Sequence, residues 1–452
     1  MILPASAARS RPGIFSPTYR LTTTGLLTAI MACAFDQTAV TAVMPHIAQE
    51  LGDADAYSLT FVAALAASII GMVASGLATD RFGARLSFIV SAATLVLGLL
   101  VSVVAPDMPV FLISRAIQGL GTGGLVVAIY AVIAQAYPAA LRPAVFAAFA
   151  GAWVIPSLVG PGLAGLLTVV FSWHAVFLFA LIAVIASIIL LAKALVSLPQ
   201  PEPVVNPRNF TTLLTAIVLA GAATGMSLSS QAQQNWAPLY IIVSLAIALL
   251  ALRTLTPPGT LKVRRGVPRL VATRGFVDMF FAAEMYLPLV LAQRYHLGPS
   301  LTGTALTISG VFWFLGSQYQ SRYGAGIPTP LVFRIGCSFM LIGTLWVGVV
   351  ALLAGHWTVV VLGWALTAIG MGFVYPRMSS KPLELCAPQD TGFTGSALQV
   401  TGTIGTTLML SLCSLIQVFA SAALLPSVFV MISAAALPLL VWWRPVVPEP
   451  RE

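Results

Sequence analysis

A chain of 452 residues in which 59% are hydrophobic and only 8% charged, with a mean hydropathy of +0.97, is far from the roughly half-apolar, quarter-charged mix of a soluble domain. That balance excludes a water-solvated globular fold and makes lipid the solvent. A net charge of +9 would suggest a nucleic-acid partner in a soluble protein, but here the placement of the positive residues carries the information and no nucleic acid is expected.

Residues 1–20 are rich in Pro, Ser and Arg and lack the apolar core and A-x-A site of a cleaved signal, so the first helix reads as an uncleaved anchor behind a cytoplasmic segment. Apolar runs then follow at the length of about 20 residues that a helix rising 1.5 Å per residue needs to cross about 30 Å of hydrocarbon. Six occupy 21–45, 56–78, 86–105, 109–135, 144–170 and 174–198, bounded by clusters such as Asp80 to Arg85 and Pro138 to Pro143. After a linker at 199–209 comes a hydrophobic hairpin at 210–255, Phe210–Ser230 and Trp236–Leu255 around the uncharged turn Gln231 to Asn235. A basic linker at 256–269 leads to six more runs at 270–293, 301–320, 331–354, 357–376, 391–419 and 422–443, and a tail at 444–452. The predicted architecture is an all-α polytopic membrane protein of 14 spans. Two six-helix bundles, 21–198 and 270–443, form a parallel pseudo-repeat around a central two-helix hairpin, with 12 spans as the alternative if the hairpin does not cross.

Charge placement tests the count. With the amino terminus inside, the basic residues from Arg9, Arg11 and Arg20 through Arg81, Arg85, Arg142, Lys193, Arg253, Lys262, Arg264, Arg265 and Arg377 to Arg444 and Arg451 fall at cytoplasmic ends, and Arg294 alone falls outside. The outer loops carry Glu50, Asp53, Asp55, Asp107 and His174. Both termini are thus expected in the cytoplasm and the protein in the inner membrane of a bacterial cell. Cys33, Cys337, Cys386 and Cys413 show neither a disulfide framework nor metal spacing, and no metal or cofactor is expected.

The halves echo each other. Leu51-Gly52 leads after one span to Gly76-Leu77-Ala78-Thr79-Asp80-Arg81-Phe82-Gly83; Leu297-Gly298 leads to Ser317 through Gly324, which keeps the Arg-aromatic-Gly end but has Ser321 where Asp80 stands. In the fourth helices Gly119, Gly121 and Gly123 match Ala368, Gly370 and Gly372. The loop Gly76 to Arg85 offers glycines for tight turns at Gly76 and Gly83, Arg81 and Arg85 for the anionic membrane face, and Asp80 to cap a helix start or pair with an Arg. It resembles the loop 2–3 signature of the major facilitator superfamily, and the resemblance implies that this loop latches the cytoplasmic ends of the two bundles. Leu112 to Gly124 is similar to the second signature of that family's proton-driven exporters. Its Arg115, six residues into a span where a centred arginine costs about 2.5–3.5 kcal/mol, should face a cavity or a buried acid. Pro156, Gly160, Pro161, Gly162 and Gly165 resemble the antiporter signature, with Pro156 in place of its first glycine and Ala164 in place of one of the paired glycines. Here Pro161 removes a backbone hydrogen bond, and the glycines should permit close packing on a neighbour. Phe35 to Pro45 is similar to the first-helix signature of the fourteen-helix drug:proton antiporters.

Intramembrane acids are functional by default. Asp36 and Glu284 each lie about 14–15 Å from the outer ends of their helices, counted from Pro45 and Arg294, and Asp278 sits near the inner third of its helix. Asp36 and Glu284 would face one central pocket, with Arg115 within reach of Asp36. The expected cycle exchanges a proton, taken up at these carboxylates, for a small molecule. Gln118, Trp153, Tyr286 and Trp313 are the candidate cavity residues, suited to lipophilic or cationic cargo. The partners are then cargo, proton and lipid bilayer, with the protein acting as a monomer. Proton symport, uniport and lipid export on the same fold are the alternatives. A membrane enzyme is disfavoured because His46, His174, His296 and His356 are scattered at span ends, and a non-transporting receptor would bind ligand without moving it.

Overall fold

Helix starts in this chain are set by prolines and short polar caps. Pro109, Pro143, Pro268 and Pro330 each occupy a first-turn position, where the missing N–H costs nothing. The Asp107 carboxylate accepts from the Val110 amide at 2.9 Å. The computed structural model describes residues 13–51, 57–199, 209–228, 237–297, 299–353, 355–419, 436 and 438–442. Among them are thirteen long α-helices. These are α1 (Arg20–Glu50), α2 (Tyr57–Phe82), α3 (Ala84–Val103), α4 (Met108–Ala136), α5 (Arg142–Val170), α6 (His174–Ser197), α7 (Asn209–Leu228), α8 (Ala237–Leu255), α9 (Val267–Tyr295), α10 (Pro299–Tyr323), α11 (Thr329–Leu352), α12 (Trp357–Leu385) and α13 (Thr391–Phe419). Residues 438–442 are again helical. Seven of the thirteen are long and apolar enough to cross a membrane by themselves: α2 (over Thr60–Phe82), α3, α4, α5, α6, α11 and α12.

The repeat seen in the sequence is carried into packing. In the first bundle α1 lies on α5 and α6, and α4 lies on both α2 and α3; in the second, α9 lies on α13, and α12 lies on both α10 and α11. Glycine makes each close approach possible. A side chain on Gly123 would strike the Ser68 backbone, one on Gly372 the Trp313 and Ser317 backbone, and one on Gly121 or Gly370 the backbone of α3 or α11. The bundles meet along two seams that the repeat relates, α2 against α13 and α10 against α5. The α7–α8 hairpin packs Ala216, Leu219, Ala223, Ala248 and Leu252 onto Ile69 and Val73 of α2 and onto Val400 and Ile404 of α13, so it covers the first seam.

The helices overrun their expected ends. The first continues past Pro45 to Glu50, where His46 and Glu50 pair at 3.6 Å, so Asp36 lies about 21 Å from that end, near the middle of the helix, and not 14–15 Å from it. Helices α2, α10 and α12 run on to Phe82, Tyr323 and Leu385, because hydropathy locates the hydrocarbon and not the helical turns projecting beyond it. The stretch Gly76 to Arg85 is therefore not a loop: Gly83, at φ 88°, is the single residue between α2 and α3, and Gly76 sits inside α2. Residues 1–12, the linker at 200–208, the hairpin turn at 229–236, Asp53 and Asp55, most of the span at 422–443 and the tail from 443 on lie outside the described residues, as do the side chains of Glu284, Tyr286 and Cys413.

Candidate functional site

Midway along α1, Asp36 is 5% exposed, and its carboxylate accepts from Arg115 Nη1 on α4 at 3.4 Å. The same Nη1 donates to Gln118 Oε1, one turn on. Gln118 in turn donates from Nε2 to the Gly98 carbonyl at 3.3 Å and to Ser102 Oγ at 2.5 Å, and Ser102 shares a 2.6 Å hydrogen bond with Ser114. The sequence expectation for Gln118 is corrected here. It is 1% exposed, locked between α3 and α4, and holds Arg115 instead of lining a cavity. Asp36 Oδ1 and Arg115 Nε are buried without a hydrogen-bond partner among the described residues. The ion pair thus keeps one free acceptor and one free donor, and losing either charge would strand the other in a buried site.

The proline-rich α5 meets α1 close by, at Thr38. Thr38, two residues after Asp36, donates to the Pro156 carbonyl at 3.4 Å, and a side chain on Gly160 would come within 2.8 Å of Thr38 Oγ1. Gly160 thus brings α5 onto α1. A Cβ on Gly162 or Gly165 would meet nothing within 4 Å, and Pro161 is exposed, so the expectation that all the glycines serve close packing is corrected. The glycine spacing alone does not show which helix face meets a neighbour.

A second buried pair lies on α9. Arg274 donates from Nε to Asp278 Oδ2 at 2.5 Å, one helical turn apart, and both are under 5% exposed. The guanidinium stacks 4.4 Å from the Tyr375 ring centroid, donates to the Tyr375 hydroxyl, and reaches Ser379 Oγ at 3.3 Å and the Tyr130 hydroxyl at 3.5 Å. Tyr130 belongs to α4, so this cluster spans the two bundles. Asp278 was legible as an intramembrane acid, but Arg274 was missed; its i, i+4 spacing from Asp278 was the available signal. Above the cluster the Trp313 ring, half-buried with a buried and unpartnered Nε1, stands edge-on to Phe281 and Tyr375 at 5.7 and 5.5 Å. Trp153 is half-buried on α5.

At the end of the molecule rich in Arg and Lys, Asp80 closes the α2–α13 seam. Its two oxygens accept from the Gly392 and Phe393 amides at 2.6 and 2.8 Å, capping the first turn of α13 in the opposite bundle. Gly76 and Gly392 let the two backbones touch there. Arg81 is exposed and lies over the Phe82 ring, and Arg85 is partly exposed in the first turn of α3. On the same end Arg142 donates to the Tyr137 and Ala134 carbonyls that finish α4, and Arg377 to the Gly324 and Ile327 carbonyls that follow α10. The structure brings Asp36 with Arg115, and Asp278 with Arg274, but not the two pairs with each other. No cluster of metal-ligating side chains occurs among the described residues.

Comparison with known proteins agrees with this arrangement. A family model described as Major Facilitator Superfamily matches residues 26–340. The chain is 28% identical over 361 residues to a protein named Multidrug resistance protein B homolog from Mycobacterium tuberculosis, a match covering 74% of this chain and 65% of that protein, so under two thirds of that relative's length is spanned. It is 21% identical to the Multidrug efflux pump SdrM of Staphylococcus aureus, over 86% of this chain and 88% of that one. Among solved structures, a bacterial homologue of the iron transporter ferroportin in an outward-facing state superposes with a TM-score of 0.72 at 13% identity, covering 94% of this chain and 98% of that chain, which establishes the shared fold. Two repeated bundles meeting along paired seams, with a match over most of the chain, make this protein a member of the major facilitator superfamily.

Proposed function

We propose that the protein is a proton-coupled exporter that exchanges an inward-moving proton for an outward-moving lipophilic or cationic small molecule by alternating access. The observation that carries this reading is the Asp36–Arg115 pair, buried at mid-helix and packed beside the α1–α5 contact at Thr38 and Gly160. A carboxylate removed from water holds a proton more readily, and a neighbouring guanidinium opposes that, so a change in either their separation or their hydration moves the proton. Proton uptake at Asp36, or at Glu284 on the equivalent helix of the second bundle, releases Arg115; the bundles rock, and the proton leaves on the other side. The Arg-rich end is the cytoplasmic one by charge placement, with both termini inside, fourteen crossings, and the bundles at 21–198 and 270–443 working as one monomer in a bacterial inner membrane. The Asp80 cap on α13, contacts of Tyr130 with Ser379 and Arg274, and the approach of Phe314 to Gly151 all lie on that half, which supports a conformation closed toward the cytoplasm. The names of the relatives favour export.

The test is uptake of a fluorescent lipophilic cation into everted vesicles, whose lumen corresponds to the outer side, under an imposed pH gradient acid inside. Asp36→Asn is expected to abolish gradient-driven transport, the effect of losing a buried charged partner, and Glu284→Gln to lower it at least about tenfold. Full gradient-driven transport in both variants sinks the assignment. Cargo moving in the same direction as the proton would replace exchange by symport.

A further inference from the structure

Arg274 is a second buried cation, and its surroundings differ from those of Arg115. Its only charged partner among the described residues is Asp278, on its own helix, whereas its other contacts are neutral hydroxyls: Tyr375 and Ser379 on α12, in its own bundle, and Tyr130 on α4, in the opposite one. Tyr130 and Ser379 also touch directly at 3.3 Å. Among the described residues, the groups around Asp278 come from three helices. Arg274 faces it from α9 and Tyr375 from α12, while Tyr130 of α4 reaches the guanidinium and not the carboxylate; α13 contributes Gly402, whose backbone lies against the carboxylate, and Thr406, which donates to the Asp278 carbonyl at 2.8 Å. Only Arg274 carries a charge in that set.

We infer that Arg274 is the positioning residue that joins the two bundles above the Arg-rich end, and that Asp278 governs it: ionised, it holds the guanidinium toward Tyr130 and Ser379; protonated, it releases that end to open. This rests on the proton-coupled reading given above and adds the step that follows proton uptake. With Asp278 ionised, the pair is neutral and tolerates burial at 3–4% exposure. When Asp278 takes a proton, the guanidinium keeps its charge and has only hydroxyls left. A buried cation without a counter-ion gains most by meeting water, and parting α4 from α12, which meet at Tyr130 and Ser379, would admit it. Separation there opens the Arg-rich end, hydrates Arg274 and lets the proton leave toward that side. The order of events is the one an exchanger needs, because a proton is what permits the move from closed to open at this end.

The experiment measures the distance between spin labels at Leu86 on α3 and Leu331 on α11, both exposed near the Arg-rich end, in the full-length chain with its four cysteines replaced by alanine, from pH 8 to pH 5.5. The expected result is a closed population at high pH that opens on acidification. Asp278→Asn should be open at every pH with its response flattened. Tyr130→Phe should raise the open-to-closed ratio about threefold throughout, as loss of one hydrogen bond does, while keeping the wild-type pH response. The double variant Asp278→Asn/Arg274→Gln carries no stranded charge and should return toward closed at every pH, whereas a merely structural role for the pair would leave it more disturbed than the single variant. A wild-type distance flat across pH, an unaltered pH response in Asp278→Asn, or a double variant as open as the single one each overturns the inference. Because the readout is a distance and not a flux, it stands or falls separately from the direction of transport.

Discussion

The two seams between the bundles occupy equivalent places in the repeat yet are built differently. Where α2 meets α13, backbones touch at Gly76 and Gly392, the Asp80 carboxylate caps α13, and the α7–α8 hairpin covers the outside. Where α10 meets α5, the position of Asp80 is taken by Ser321, and the glycine contacts are with apolar side chains: Phe314 against Gly151 and Val154 against Gly310. One seam thus carries a polar latch with fixed geometry, and at the other the glycines meet apolar side chains that can give way. Motion between the bundles needs both. A latch gives two discrete states because its hydrogen bonds are either made or broken, while an apolar contact lets the helices shift without stranding a polar group.

The comparison is most easily broken at Gly392. A side chain there would collide with the Gly76 carbonyl, with Thr79 Cβ at 2.7 Å and with Asp80 Oδ1 at 2.8 Å, and all three are fixed by the helix they belong to. Gly392→Val is expected to lower vesicle transport by at least about tenfold, the scale of a 1–3 kcal/mol overpacking penalty concentrated on one state. The equivalent insult at Gly151 meets the edge of the Phe314 ring at 3.0 and 3.3 Å, a side chain free to swing, so Gly151→Val should retain more than half of the wild-type flux. Equal damage at the two sites would erase the distinction between the seams.

Next in size is the latch itself. Asp80→Asn keeps the shape but removes the charge that faces the α13 amino terminus and replaces one acceptor oxygen with a donor, costing about 1–2 kcal/mol in the closed state. Alkylation of a cysteine placed at Tyr130 should then proceed about tenfold faster, the closed state having lost its advantage. Introducing the missing carboxylate as Ser321→Asp is the converse, and should slow that alkylation by a smaller factor, because nothing on α5 has been shaped to receive it. Faster alkylation in Ser321→Asp would mean the second seam rejects a charge outright.

Much of this was legible in the sequence because lipid imposes one rule on every segment: backbone polar groups must be satisfied within a helix. Hydropathy therefore located the starts of the described helices to within a few residues, while their ends run as far as Leu385 on α12, and the repeat of Gly121 and Gly123 in Gly370 and Gly372 anticipated the packing of α4 and α12. Asp36 and Arg115 could be paired in advance because two opposite charges at similar depth have few other places to go. Gln118 could not be placed, since an amide suits a cavity wall and a helix interface equally well, and only the approach permitted by Gly98 decides between them. Arg274 was hidden by its own environment: near a helix end an arginine reads as an interfacial anchor, and what makes it buried is the neighbouring bundle, which no local pattern reports.

The smallest expected effect lies on α5, where the apolar seam can be sharpened. In its first half this helix meets α10 through Gly151 and Val154, and just past its midpoint it meets α1 through Gly160, while Gly165, beyond Pro161, has open space where a side chain would project. Gly165→Ala should leave thermal stability within about 0.5 kcal/mol, or raise it slightly by relieving the entropic cost of glycine in a helix. Its flux should stay within about twofold of wild type, whereas Gly160→Ala, whose Cβ would press on Thr38 Oγ1 at 2.8 Å beside the Asp36 pair, should lose several-fold. A stable Gly165→Ala variant with flux cut tenfold would show that the far half of α5 packs tightly in the other half of the cycle, because only a contact absent from this conformation can be harmed without loss of stability in it. The apolar seam would then be a zipper that closes from one end as it opens from the other, and the polar latch on α2 would set which end is closed.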